Sequence, residues 1–384
     1  MVPSAFLSAM LGSDALVARS IVCSCANSYS VVAQRVGRKF VGMTRIDGLL
    51  GIALVVNVCG VICFAQADLE AESRYVATHR AMGTEFRLVL YAQSESFATS
   101  VSEAAFEEID RLEDLLSNYK PQSELSRINR EGAKGWVVTD PETFMFLARA
   151  YYWSKHSDGA FDMTVGPLLK VWGFFRNQGG VPDEAGLKRA RAHVGWRYLE
   201  LRPSDHAVRF AGHRKLELDP GSIGKGFAVD KVVDLLRADG VRAALLSSGG
   251  STVYALGAPP DAEGWTVVIQ DPKEKVSRTM LLRDTAISTG ACTEKFFVHA
   301  GKRYCHIFNP LTGRPVEGVL QSTVMSSSAT DSDAASTVAF VLDAEALERE
   351  LSSETRVSAL VYREDSRGAV TRQAIRWPER VGHQ

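Results

Sequence analysis

The sequence has no excess of either charge and no repeated or low-complexity segment. Across 384 residues, 44 Lys and Arg side chains nearly balance 45 Asp and Glu side chains, for a formal net charge of -1. General nucleic-acid binders carry a basic excess, so this balance and the lack of a basic block argue against that class. An apolar fraction of 46% is ordinary for a globular core, and the length allows one large domain or two smaller ones.

Cysteines are scarce once the N-terminus is set aside. Four of the six precede residue 68, so only Cys292 and Cys305 belong to the rest of the chain. These two could pair in an oxidising compartment, but two cysteines do not make the framework of a disulfide-rich fold. We therefore expect two isolated, buried thiols.

The first 67 residues are typical of a secretion signal. Residues 43–45 form a short basic start, and residues 49–64 form an apolar core. Ala65-Gln66-Ala67 matches an A-x-A cleavage site, so the mature chain would begin at Asp68. The pattern predicts export to the periplasm.

Alternatives for this leader stay open. An uncleaved segment would act as an inner-membrane anchor, since the apolar span approaches the roughly 20 residues that cross a bilayer. Lipidation would use Cys59 or Cys63. Residues 1–42 contain no clear element, which makes Met43 a candidate for the true start. We treat residues 1–67 as a leader outside the fold.

Hydrophobic periodicity divides the rest of the chain into helices and short strands. The predicted helices cover residues 97–116, 141–156, 183–194, 227–237, 333–342 and 344–351. The predicted strands cover residues 86–91, 199–201, 208–210, 216–218, 243–248, 265–270, 279–283, 286–288 and 357–362. Because helices and antiparallel-looking strands mix without strict βαβ alternation, the predicted fold class is α+β.

A glycine-rich run surrounds one lysine at the start of a predicted helix. Residues 218–230 place three glycines close to Lys225. Bare N–H groups, the positive end of the helix dipole and an ammonium group together suit a phosphate. The run is not a Walker A loop, because Gly226 follows Lys225 where that motif needs Ser or Thr. It indicates a nucleotide-like ligand outside the ordinary P-loop NTPases.

A second constellation lies in residues 326–337. Asp333 and Thr337 are four apart, which on a helix puts a carboxylate and a hydroxyl on one face. Two hard oxygen ligands near a phosphate-binding lysine suggest Mg²⁺, which completes its shell with water and phosphate oxygens. Simple helix capping by Asp331, Ser332 or Asp333 is the alternative, and spacing alone favours it.

The remaining motifs are weaker one by one. His306 ends a predicted strand before the tight turns of residues 309–315, where it suits a base or a phosphate contact, although lone histidines are more often structural. Residues 158–174 interleave aromatics with Gly and Asp, as a loop lining a flat ligand would, or as a packed aromatic loop. Met82-Gly83-Thr84 and residues 117–129 complete the set.

Taken together and in their order along the chain, the motifs resemble those of the ApbE family, the FAD:protein FMN transferases. The resemblance covers about residues 75–365. It rests on these six motifs and on Ser248-Gly249-Gly250, seven in all, which together are specific. It implies a single T-fold-related domain over residues 75–370, with mixed, largely antiparallel sheets, packed helices and a tail at 371–384.

The resemblance also implies an activity. Such a protein binds FAD and Mg²⁺, cleaves the pyrophosphate and moves FMN onto a Thr or Ser hydroxyl of a partner flavoprotein, while AMP leaves. The acceptor would be a membrane-bound redox subunit, and a homodimer is compatible with this picture. FAD hydrolysis to FMN and AMP, or FAD binding without catalysis, are the alternatives.

The resemblance assigns residues to roles. It places the flavin against Met82, Tyr119, Ala160, Phe161, Asp162, Asp219, Lys225 and Ile307. It places the metal on the backbone carbonyl of Ser222 and on the side chains of Asp333 and Thr337. It offers His306 and Lys225 as the catalytic groups. One segment departs from the family pattern: where Ser-Gly-Asp-Tyr is usual, this chain has Gly290-Ala291-Cys292-Thr293.

Overall fold

The computed structural model describes residues 72–378 apart from residues 177, 274–277 and 294, and apart from the side chain of residue 176. The predicted leader at residues 1–67 lies outside these ranges, so its cleavage, anchoring and lipidation stay predictions. Among the described residues, no helix combines the length and the apolar character that crossing a membrane requires.

Helices and strands alternate irregularly along the described ranges. The helices are α1 (Glu95–Leu116), α2 (Glu124–Glu131), α3 (Pro141–His156), α4 (Gly166–Val171), α5 (Glu184–Arg191), α6 (Gly224–Ala238), α7 (Ala329–Val341) and α8 (Ala344–Ser353). The strands are β1 (Ser73–Ala81), β2 (Thr84–Ala92), β3 (Val137–Val138), β4 (Leu199–Arg202), β5 (Ala207–Phe210), β6 (Ala244–Ser248), β7 (Thr252–Leu256), β8 (Trp265–Ile269), β9 (Arg278–Leu282), β10 (Thr285–Ala291), β11 (Phe296–His299), β12 (Lys302–Cys305), β13 (Phe308–Asn309), β14 (Arg314–Pro315), β15 (Val319–Ser326), β16 (Val357–Glu364) and β17 (Val370–Ile375).

An eight-stranded sheet organises the fold. Its order is β1-β2-β6-β7-β10-β15-β16-β17, and every neighbouring pair is antiparallel. The first hairpin turns at Met82 and Gly83, whose φ angles are 50° and 70°. Two positive φ angles are typical of a type I′ turn, which matches the twist of the flanking strands. The α+β prediction with largely antiparallel sheets is confirmed.

Helices α1, α6 and α7 cover one face of this sheet. Helix α1 buries Val101, Ala105, Ile109 and Leu112, which recur every three or four residues and so form one apolar stripe. The opposite face is covered by the β8–β9 hairpin. There the ring of Trp265 lies 5.8 Å from that of Tyr91. The sheet is therefore buried on both sides near its centre.

Several predicted boundaries differ from the structure. The helix predicted at residues 227–237 begins three residues earlier, and the one predicted at 333–342 begins four residues earlier. The strand predicted at 216–218 is only an isolated bridge between Glu217 and Val165. The expected tail boundary after residue 370 falls inside β17, which pairs with β16 at the sheet edge.

The expectation of two isolated thiols is wrong. Cys292 and Cys305 form a disulfide, with their Cα atoms 5.3 Å apart. Cys292 follows directly after β10 and Cys305 ends β12, so the β11–β12 hairpin brings the two together. Their spacing along the chain could not indicate this, because the approach depends on the hairpin.

Candidate functional site

Helices α6 and α7 touch at the point where α6 begins. The N–H of Gly226 donates to Oδ2 of Asp333 across 3.0 Å. A Cβ atom on Gly226 would collide with the carbonyl of Ala329 and with Cβ of Asp333. Only glycine therefore permits this approach, which joins the predicted phosphate-binding run to the predicted metal-binding helix.

The glycines of the run do not present the free N–H groups that the sequence suggested. The N–H of Gly221 donates to Oδ1 of Asp219 across 2.9 Å, and that of Gly224 donates to the carbonyl of Pro220 across 2.7 Å. The N–H of Gly226 is used by Asp333. The expectation that these three glycines offer free N–H groups to a phosphate is wrong, because the N–H groups already donate to Asp219, Pro220 and Asp333.

Lys225 still offers a positive charge for a phosphate at the start of α6. Its Nζ donates to Oγ of Ser251 across 2.7 Å. Burial raises the pKa of Asp333, while the charge of Lys225, the N–H of Gly226 and the hydroxyl of Thr252 act in the opposite direction. Lys225 and Asp333 therefore share one electrostatic environment.

Helix capping does not explain Asp333. Ser328 caps α7 by accepting the N–H of Asp331. The carboxylate of Asp230, on α6, accepts the N–H groups of residues 329 and 330 at 2.7 and 2.9 Å. Other residues therefore accept the N–H groups at the start of α7. Asp333, further along the helix, is free to accept the N–H of Gly226 on α6.

The carbonyl of Ser222 accepts no hydrogen bond from the first turn of α6. Its expected partner, the N–H of Gly226, donates to Asp333 instead, and no described residue donates to this oxygen. Thr337 lies one turn after Asp333 on α7 and is partly buried. The described residues gather no group of three or more His, Cys, Asp or Glu side chains able to hold a metal. The predicted set needs only one carboxylate with a hydroxyl and a carbonyl.

A layer of hydroxyl groups lies between α7 and the central strands. Oγ of Ser288 lies 2.7 Å from Oγ of Ser332 and donates to Thr252 across 3.3 Å. Oγ of Ser322 donates to the carbonyl of Ser336 across 2.7 Å. Sequence reasoning assigned no role to Thr252, Ser288 or Ser322. The only signal was several Ser and Thr at the ends of buried strands.

A hydrogen bond to the backbone fixes the tautomer of His306. Its Nδ1 lies 2.9 Å from the carbonyl oxygen of Lys295. Because that oxygen can only accept, Nδ1 carries the hydrogen and Nε2 keeps its lone pair. Burial, together with the charges of Lys295 and Lys225, lowers the pKa of His306 to about 4. The ring is therefore neutral at pH 7.

Lys295 is a residue that the sequence analysis did not find. Its charge acts on His306 and also opposes the effect of burial, which raises the pKa of Asp219. The charge of Lys295 thus reaches both His306 and Asp219. A single lysine in a loop carries no sequence signal for this position.

Asp219 anchors the second part of the site. Its Oδ2 accepts from Nδ2 of Asn118 across 2.6 Å. Tyr119, which follows Asn118, is 62% exposed and stacks on Phe175 with ring centroids 4.4 Å apart. A cavity of about 390 Å³ opens beside Phe175 and Lys170. An exposed aromatic stack beside a cavity suits a flat ligand.

Glu113 ties Met82 to this region. Its Oε1 accepts the N–H of Met82 across 2.7 Å, and its Oε2 accepts from Nζ of Lys120 across 2.7 Å. One carboxylate therefore links the β1–β2 turn to the segment that carries Tyr119.

The predicted aromatic loop is largely packed. Ala160 and Phe161 are 3% and 1% exposed, within the main core. The carboxylate of Asp162 accepts from Thr164 and from the N–H of Trp196, and burial raises its pKa. Its side chain is therefore occupied in holding the Trp196 loop, so a ligand would meet this segment through the backbone.

The structure brings most of the predicted residues into one region. The charge of Lys225 acts on both Asp333 and His306, and the charge of Lys295 acts on both His306 and Asp219. Ile307 follows His306 and lies near Gly290, since a Cβ on that glycine would be 3.6 Å from Cδ1 of Ile307.

Comparison with known sequences gives one family. A sequence model described as the ApbE family matches residues 82–361. An FAD:protein FMN transferase from Treponema pallidum is 32% identical over 308 residues, which cover 75% of this chain and 84% of that protein. One from Escherichia coli K12 is 29% identical over 287 residues, covering 73% of this chain and 81% of that protein.

Solved structures agree in fold. The ApbE protein from Thermotoga maritima aligns with a TM-score of 0.71 and 27% identity, covering 78% of this chain and 97% of that one. The flavinyl transferase ApbE of Pseudomonas stutzeri, in its apo form, aligns with a TM-score of 0.71 and 27% identity, covering 80% and 96%.

Proposed function

The chain belongs to the ApbE family and is a flavin transferase, and we propose that it moves FMN from FAD to a Thr or Ser hydroxyl of a partner flavoprotein, with AMP released and Mg²⁺ bound. One contact carries the proposal. Gly226 and Asp333, 107 residues apart in sequence, meet beside Lys225. A cation for phosphate and a carboxylate for a metal therefore belong to the same site.

The oxygens around this contact fit Mg²⁺. The Ser222 carbonyl lacks a hydrogen-bond donor among the described residues, and Asp333 and Thr337 offer a carboxylate and a hydroxyl on the same helix. Hard oxygens in small number are what Mg²⁺ takes from a protein when a substrate phosphate completes its shell. When bound, the ion would polarise the pyrophosphate and neutralise charge on the departing phosphate.

The acceptor hydroxyl must lose its proton as it attacks. Its oxygen bonds to the phosphorus of the FMN part while the bond from that phosphorus to the bridging oxygen breaks. AMP departs with the bridging oxygen and its electron pair. Nε2 of His306 holds a free lone pair for the hydroxyl proton. Negative charge on a bound dinucleotide would raise the pKa of His306 from its low value in the free protein.

Lys225 and Lys295 act on the phosphates. Nζ of Lys225 is held at the start of α6 by Ser251, which gives a point charge at a fixed position. Lys295 adds a second positive charge between His306 and Asp219. Two cations beside one pyrophosphate stabilise the transition state, in which negative charge builds up, more than the ground state.

We place the reaction in the periplasm, on a membrane-bound redox acceptor. The leader pattern at residues 43–67 supports export. The Cys292–Cys305 disulfide supports an oxidising compartment.

The test uses the full-length protein with FAD, Mg²⁺ and a lysate of the source species as the supply of acceptor. Flavin fluorescence on a denaturing gel reports covalent labelling, and chromatography reports AMP. We expect labelling and AMP together, and loss of both in Asp333→Ala or with EDTA. Asp234→Ala, an exposed acid on α6, is the matched control and should label normally.

Other outcomes select the alternatives. AMP and free FMN without a labelled protein would indicate FAD hydrolysis. FAD binding without AMP would indicate a flavin-binding protein. Labelling that survives both EDTA and Asp333→Ala would contradict the metal assignment.

A further inference from the structure

A disulfide closes the chain segment immediately before His306. Cys292 is the first residue after β10, and Cys305 is the last residue of β12. Strand β10 lies in the middle of the eight-stranded sheet, between β7 and β15. The bond therefore ties the residue preceding His306 to the centre of the fold.

The enclosed segment supplies the group that orients His306. The carbonyl of Lys295 accepts the backbone N–H of His306 at 3.2 Å and its Nδ1–H at 2.9 Å. One peptide oxygen thus sets both the ring orientation and the tautomer. Phe296 is paired with Cys305, so Lys295 and His306 extend this ladder by one position.

Among the described residues, few contacts join this hairpin to the main sheet. Strands β11 and β12 form a separate two-stranded sheet, and isolated hairpins are marginally stable in water. Phe297 and Tyr304 pack toward the α4 cluster on one side. On the other side Val298 is 60% exposed. Besides the peptide chain itself, the disulfide is a second covalent connection between this hairpin and the end of β10.

We propose that the Cys292–Cys305 disulfide is a positioning element of FMN transfer: it fixes the Lys295 carbonyl so that His306 keeps Nε2 free toward the acceptor hydroxyl. The inference rests on the proposed function. It also gives a role to Cys292, which lies in the segment where the chain departs from the family pattern. The disulfide does not contact the reacting atoms and acts through His306.

A double-mutant cycle tests the coupling. Transfer rates are measured for the wild type, Cys292→Ser/Cys305→Ser, His306→Ala and the triple variant. We expect the double serine variant to lose about tenfold or more in kcat, since a displacement of about 1 Å can cost that much. FAD affinity should change by less than about twofold, as the bond does not bind FAD. In the His306→Ala background the serines should cost nothing further.

Chemical reduction provides the matched experiment if the serine variant does not fold. Dithiothreitol transfers two hydrogens to the two sulfurs and becomes its own cyclic disulfide. The wild type should slow on reduction and recover on reoxidation. His306→Ala, which lacks the side chain that the disulfide positions, should show the same rate with and without the reductant. An unchanged kcat, or an equal loss with and without His306, would overturn the proposal.

The tautomer of His306 gives a readout that does not need activity. Nitrogen NMR, assigned by comparison with His306→Ala, should show the Nδ1–H form in the wild type and a mixture of forms after reduction. If the wild type transfers no flavin, the proposed function fails, and this spectrum alone decides the positioning claim. A tautomer that is indifferent to the disulfide would then refute it.

Discussion

The N–H of Gly226 lies 3.0 Å from Oδ2 of Asp333. This bond satisfies a donor at the start of α6, and it leaves the Ser222 carbonyl without the helical partner it would otherwise have. A contact between two helices thereby frees the Ser222 oxygen from its helical hydrogen bond. The metal-binding prediction depends on this exchange of partners.

Replacement of Gly226 by Ala should disable the site. The new methyl group would collide with the carbonyl of Ala329 on α7, which costs about 1–3 kcal/mol when a packed interface must open. We expect a lower melting temperature and almost complete loss of FMN transfer. Gly135→Ala is the control, since nothing lies within 4 Å of its Cβ position. Equal behaviour of the two variants would contradict the close-approach argument.

Tyr119→Ala should weaken FAD binding without destabilising the fold. The ring is 62% exposed and stacks on Phe175, and an aromatic stack contributes about 0.5–1.5 kcal/mol. We expect the Kd for FAD, read by fluorescence quenching, to rise by roughly two- to tenfold. Phe97→Ala, on the outer side of α1, should leave the Kd unchanged. Identical affinities for wild type and Tyr119→Ala would remove this residue from the binding surface.

His306 should make the folded state sensitive to acid. Its folded pKa of about 4 lies below the ordinary 6.5. Between these values the unfolded chain binds a proton that the folded chain excludes, so the stability due to the neutral ring is present above pH 6.5 and is lost toward pH 4. We expect the free energy of unfolding of the wild type, relative to His306→Gln, to fall between pH 7 and pH 4.5 in urea titrations. A difference that is independent of pH would mean that the ring titrates normally.

Asp230→Ala should destabilise α7. The carboxylate accepts the N–H groups of residues 329 and 330 and the hydroxyls of Ser328 and Thr330. Loss of a helix cap costs about 1–2 kcal/mol. We expect a loss of this size in urea denaturation, whereas Asp234→Ala should stay within about 0.5 kcal/mol. A stable Asp230→Ala variant would show that Ser328 alone suffices as the cap.

Local patterns in the sequence predicted the local features of the fold. The helix at residues 141–156 and its cap at Asp140 are confirmed, because an amphipathic stretch after a capping residue specifies a helix without distant partners. Strand β15 was missed. Six of its eight residues are buried in succession, so no alternation of apolar and polar residues distinguishes it.

The site was predictable as a set of residues but not as a set of contacts. Lys225, Asp333 and His306 have recognisable surroundings in the sequence. The partners of the Gly226 N–H, the position of Lys295 and the Cys292–Cys305 bond depend on approaches between distant segments. Periodicity and spacing report on neighbours along the chain, so they carry no information about such approaches.

The hydroxyl layer under α7 has a mechanical consequence. Side chains that meet only through methyl groups allow a helix to slide or rotate slightly at small cost, because dispersion contacts have no direction. Paired hydroxyls such as Ser288 and Ser332 lose their bond when the helix shifts by a fraction of an ångström. The hydroxyl pairs therefore fix the position of α7 along its axis. They thereby hold the Asp333 carboxylate in the orientation that faces α6.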